Sequence, residues 1–144
     1  MVDETWSTYV FKALRSSWGI WISITAKVRY GDPVDRSADG GGVTTTLEFS
    51  GAAAGLALDH VDALRAGWTA VAADVVRRHR RAVHVTVDDV TFVETDFQVE
   101  GLAVAMCRWA ENQFGLRARE IDVAFDAEEN RYRFTAFAGF GGVE

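Results

Sequence analysis

Ile20, Ile22, Ile24, Ala26, Val28 and Tyr30 alternate with Trp21, Ser23, Thr25, Lys27 and Arg29. A period of two over that length predicts a long strand with one apolar and one polar face. Upstream, Tyr9, Val10, Ala13 and Leu14 have helical spacing within Trp6 to Trp18, so a short helix or an extended lead-in is expected there. Val43, Thr45, Leu47 and Phe49 alternate with Thr44, Thr46 and Glu48 and predict a second strand. It is expected to pair antiparallel with the first across a loop, Gly31 to Gly42, rich in glycine and aspartate.

From Asp59 the spacing changes to three and four. Val61, Leu64, Trp68, Val71 and Val75 predict one face of a long helix, with Asp59 as its cap and Arg77, Arg78, Arg80 and Arg81 closing it against the helix dipole. Val83, Val85 and Val87, alternating with His84, Thr86 and Asp88, predict a third strand. A second helix carries Val99, Leu102, Met106 and Trp109 on its apolar stripe. Thr95 and Gln98 have capping-box spacing before it, Asp96 competes as the cap, and Gly115 is a natural terminator. Ile121, Val123 and Phe125, a turn at Ala127 to Asn130, and Tyr132, Phe134 and Ala136 predict a hairpin.

The order ββαβαββ predicts an α+β fold: a mixed sheet covered on one face by two long helices, with an additional C-terminal hairpin, and residues 1–144 forming one domain. Helices between strands also allow parallel βαβ units, so periodicity leaves strand order open.

Composition narrows the class. The 144 residues are 49% hydrophobic and 25% charged with one proline, which predicts a packed core and not a disordered tail. Cys107 is the single cysteine, so no internal disulfide can form and a reducing cytoplasm is the expected location. The net charge of −6 argues against a general nucleic-acid binder. No apolar run is long enough to cross a bilayer, and no membrane partner is expected.

The stretch from Leu58 to Ala110 resembles domain IV of the elongation factor G family, including the tetracycline-resistance ribosomal protection proteins. Val85, Thr86, Asp89, Phe92, Glu94, Asp96 and Ala105 fall without a gap on that family's strand, turn and capped helix, and His60-Val61-x-Ala63-Leu64-x-x-Gly67 resembles its preceding helix. The resemblance implies the ribosomal protein S5 domain 2-like fold and a ribosome-facing tip. At that tip Val93 stands where the family has His, Val90 where it has Gly, and Phe97 and Gln98 where it has paired Ser. No Gly-x-x-x-x-Gly-Lys-Ser/Thr run occurs, so nucleotide-driven translocation is not expected and the module is expected to act without a GTPase. Ala54 to Leu58 lacks the serines of a kinase phosphate loop.

No side chains converge on a catalytic or metal-binding pattern, and no cofactor is expected. His60, His79 and His84 lack the spacing of paired ligands on one helical face, although His79 and His84 could meet across a helix-to-strand junction near Asp88. Cys107 reads as a packed small hydrophobe. Asp32, Asp35 and Asp39 miss the alternating pattern of a calcium loop.

Two surfaces remain. Trp21, on the polar side of its strand, and Phe137 and Phe140 near the C-terminus are candidates for a partner surface, either another protein or a second copy in a homodimer. Arg77, Arg78, Arg80 and Arg81 are candidates for a ribosome, RNA or phosphate contact, extended by Arg117, Arg119, Arg131 and Arg133 if the last hairpin lies beside them. The expectation is a non-enzymatic binding module. Its alternative is a small enzyme or ligand-binding accessory protein with an aromatic pocket, in which Asp88, Asp96, Glu94 or His84 serves as acid or base.

Overall fold

The computed structural model describes residues 4–14, 19–33, 45–93, 98–118, 120–121, 123–129 and 131–134. β1 (Glu4–Leu14) and β2 (Gly19–Pro33) pair antiparallel, from Glu4 opposite Arg29 to Leu14 opposite Gly19. The lead-in is therefore extended and not helical. Phe11 is buried and Tyr9 and Ala13 half-buried on one face, whereas Trp6, Thr8, Val10 and Lys12 are exposed on the other, and pairing with β2 overrides the helical spacing.

β3 (Thr45–Phe49) does not form a hairpin with β2. The sheet order is β1-β2-β4-β3, and β4 (Arg81–Phe92) lies between them, antiparallel to β2 and parallel to β3. The cause is the connection: a short 3-10 turn (Gly51–Gly55) and α1 (Leu58–His79) return the chain to the start of the sheet, which makes β3-α1-β4 a crossover with parallel strands. Ile20, Ile22, Ile24, Ala26 and Val28 of β2 and Val83, Val85 and Val87 of β4 are all buried on the helix-covered face. Full burial of each such Ile or Val contributes about 1.5–3 kcal/mol relative to exposure.

α1 begins after Ala57, which offers no side-chain cap; Asp59 is inside the first turn and not the cap. It ends at Arg80, whose left-handed φ of 59° closes the helix while its amide donates to Val76 O at 2.7 Å. α2 (Glu100–Phe114) is terminated by Gly115 at φ 70°, as its sequence predicts. α2 starts after Val99 without a side-chain cap, and the Gln98 side-chain amide is bonded to Tyr132. Thr95 and Asp96 lie outside the described residues.

β5 (Val123–Asp126) and β6 (Arg131–Phe134) form the expected hairpin, with Phe125 opposite Tyr132. Gln98 fastens it to the base of α2. Its Nε2 donates to Tyr132 O at 2.6 Å and its Oε1 accepts the Tyr132 amide at 2.7 Å, so one side chain imitates a peptide of a neighbouring strand. Phe134 meets Phe11 of β1 with ring centroids 6.4 Å apart. Sheet, α1 and hairpin together leave α2 with buried residues on almost every side, a wider surface than the predicted stripe. Among the described residues no helix is long and apolar enough to cross a membrane.

Candidate functional site

The sheet face opposite the helices is open among the described residues. Strand alternation and register set its side chains in rows. Arg29, His84 and Thr46 stand side by side across β2, β4 and β3, and Lys27, Thr86 and Glu48 form the next row. These six residues line a shallow hollow of about 430 Å³. His84 Nδ1 lies 2.9 Å from Thr46 Oγ1, which orients the imidazole within it.

On β1 the same face continues with Trp6, 51% exposed, opposite Lys27, whose Nζ sits 5.3 Å from the indole centroid. That distance is within cation–π range. Thr8 and Thr25 share a hydroxyl hydrogen bond of 2.8 Å in the following row. Trp21, partly exposed, is opposite Lys12, and exposed Val10 is opposite Ser23. Apolar groups are thus separated by hydroxyls and amines, unlike the continuous apolar centre of an obligate dimer interface. Phe137 and Phe140 lie outside the described residues.

The four arginines at the end of α1 are all exposed but have different neighbours. Arg77 pairs with Asp74 on its own helix, and Arg80 forms the helix end. Arg78, also exposed, approaches the α2 terminus at Gly115. Arg81 turns to β2, where its Nε donates to Gly31 O at 3.1 Å and its guanidinium lies 5.4 Å from the Tyr30 ring centroid. Burial pushes the Tyr30 phenol above its ordinary pKa, and that guanidinium partly opposes the shift. Arg133 is committed to Asp126 at 2.8 Å; Arg117 is exposed, and Arg119 and the Arg131 side chain lie outside the described residues.

His79 and His84 do not meet. His79 packs on the helix side, its Nε2 donating to Phe114 O at 3.0 Å between the rings of Tyr30 and Phe114, whereas His84 faces the open side. Asp88 accepts a hydrogen bond from Ser50 Oγ at 3.2 Å. Cys107 is buried, with Sγ 3.6 Å from Glu111 Oε2, and Glu111 is also paired with Arg108 at 2.7 Å. Glu94, Asp96, Asp35 and Asp39 lie outside the described residues. No group of three or more metal-ligating side chains occurs among the described ones.

No protein-family profile matches the chain, and no curated protein does. Among solved structures, a protein from Thermus thermophilus is similar over 73% of this chain, with a TM-score of 0.52 and 8% identity. The chain spans only 14% of the length of that protein, and at such low identity the likeness concerns the fold alone.

Sequence patterning placed Lys27, Arg29 and Trp21 on one polar strand face. It does not add Trp6, because the spacing in β1 fits helix as well as strand, or Thr46, Glu48 and Thr86, because their neighbours depend on strand order.

Proposed function

We propose that the domain is a non-catalytic binding module that holds single-stranded RNA on the open face of its sheet, in keeping with its resemblance to domain IV of elongation factor G. The observation that carries this proposal is the half-exposed Trp6 ring beside Lys27, continuing into the hollow of Arg29, His84, Thr46 and Thr86, whose cations outnumber its one carboxylate, Glu48. An indole offers a base a stacking surface worth about 1–3 kcal/mol, and the neighbouring cations and hydroxyls suit phosphate oxygens. The chain's net charge of −6 opposes the approach of a polyanion, so affinity should be modest, with a shallow salt dependence set by the few cations of the face.

Fluorescence anisotropy with a labelled single-stranded RNA tests this. Trp6→Ala should weaken binding about tenfold, and Lys27→Ala with Arg29→Ala should flatten the salt dependence by about two counterions. Changing Arg77 and Arg80 should do neither. Absence of binding to RNA and to ribosomes at low salt would refute the proposal.

A second reading, self-association through the same face, is favoured by the exposure of Trp6 and Val10 on the edge strand β1. Sedimentation over rising protein concentration separates the two, since only self-association is reversed by Val10→Lys without RNA present.

A further inference from the structure

The opposite edge of the sheet carries a binding geometry that does not depend on the open face. Among the described residues, β3 has a strand neighbour on one side only. The Ser50 amide donates to Val87 O of β4 at 2.9 Å, and backbone groups of successive strand residues point to alternate sides. Thr46 and Glu48 therefore turn their backbone groups toward β4, and Thr45, Leu47 and Phe49 turn theirs outward. Arg65 of α1 agrees with this assignment, because its Nη1 reaches Leu47 O at 3.2 Å.

A groove of about 370 Å³ runs between this edge and the helix, with Thr45, Leu47 and Glu48 on the strand side and Arg65, Trp68 and Thr69 on the helix side. Trp68 is 4% exposed, and among the described residues its Nε1–H has no hydrogen-bond acceptor. A buried donor without an acceptor is an unmet demand that native structures rarely retain.

We infer that the groove accepts an extended acidic peptide, added as a strand to β3, whose Asp or Glu side chain pairs with Arg65. Arg65, whose guanidinium also lies 5.2 Å from the Phe49 ring centroid, is the cation of this groove, and Glu48 is the carboxylate an acidic occupant must keep clear of. Arg65 leaves a neutral carbonyl for a carboxylate, which forms the stronger charge-assisted pair. Leu47 O receives a peptide N–H in return, the outward amides of Leu47 and Phe49 gain carbonyl partners, and the occupant lies against the Trp68 indole that lines the groove. Strand addition of this kind draws affinity from main-chain bonds and specificity from alternate side chains. A second copy of this chain suits the edge poorly: two-fold pairing about Leu47 would bring together two Arg65 guanidiniums, each tethered at its own Leu47 carbonyl.

The test is a nuclear magnetic resonance titration of the full chain with two blocked pentapeptides, threonine-valine-glutamate-valine-threonine and its glutamine counterpart. The glutamate peptide should produce saturable shifts and slowed exchange at the Leu47 and Phe49 amides, together with a shift of the Trp68 indole proton. The glutamine peptide should bind about tenfold more weakly, and Arg65→Gln should erase that difference. The inference is overturned by no saturable shift at millimolar peptide, by equal response to both peptides, or by amide protection that grows with protein concentration in the absence of peptide.

Discussion

Gly67 of α1 lies so close to the Ala103 carbonyl of α2 that a Cβ at this position would overlap the carbonyl oxygen and come 3.0 Å from Met106 Cβ. The helices cross on this contact, and both flanking residues, Ala66 and Trp68, remain at least half-buried. On an exposed helix Gly→Ala would stabilise by about 1 kcal/mol. Here overpacking of about 1–3 kcal/mol opposes that gain, because a backbone carbonyl cannot rotate away as a side chain can. Gly67→Ala should therefore lower stability by about 1–2 kcal/mol and Tm by several degrees. Gly55, with no atom within 4 Å of a built Cβ, provides the contrast. Its change to Ala should be neutral or slightly stabilising. Equal effects of the two substitutions in denaturant unfolding would exclude the tight crossing.

Gln98 and Tyr132 predict a local effect. Gln98→Ala removes both bonds that the side chain makes to the Tyr132 backbone and should cost about 1–3 kcal/mol. Gln98→Glu should cost more, since a carboxylate keeps only the acceptor and faces both Tyr132 O and the buried Glu100 carboxylate, to which Gln98 now donates at 3.1 Å. Hydrogen exchange should quicken first at the β5 and β6 amides, while those of Ile22 to Val28 stay protected. Uniform acceleration across the sheet would instead mean that the hairpin is integral to the core.

These two contacts mark where the sequence was legible and where it was not. Alternation in β2, the α1 stripe, the glycine end of α2 and the last hairpin were readable because each depends on neighbours a few residues away. The alternation of β4 is legible only to Asp88, because a bulge there shifts its phase: Ala26 faces Val87, Thr25 faces Asp89, and the inward series resumes at Val90 and Phe92. Pairing β3 with β2 failed for a different reason. Thr45 to Phe49 alternate identically whichever strand lies beside them, and only the α1 crossover decides. Gln98 satisfies a backbone 34 positions away, and no local pattern announces that. The open face was half visible for the same cause: Lys27 and Arg29 share one strand, whereas Trp6, His84 and Thr46 join them through strand order.

The hairpin turn predicts a specific acid response. Asp126 Oδ1 accepts the Glu128 and Glu129 amides at 3.0 and 3.2 Å, and its Oδ2 accepts Arg133 Nε at 2.8 Å. Arg133 is the largest cause holding the Asp126 carboxyl below its ordinary pKa, with the turn amides adding to it, and Arg133 is correspondingly held above its own. Because the folded carboxyl is the stronger acid, the unfolded chain takes up the proton first as pH falls. The stabilisation is complete above the ordinary carboxylate range, shrinks on acidification through it, and is gone once the folded group is also protonated. The pair is exposed, so added salt should weaken the effect. Asp126→Asn keeps an oxygen for the turn amides but loses the charge facing Arg133. Denaturant unfolding of both proteins from about pH 2 to 6 should show the variant less stable at the upper end, with the two curves converging at the lower. A gap between them that stays constant across that range would show that the Asp126 charge makes no contribution.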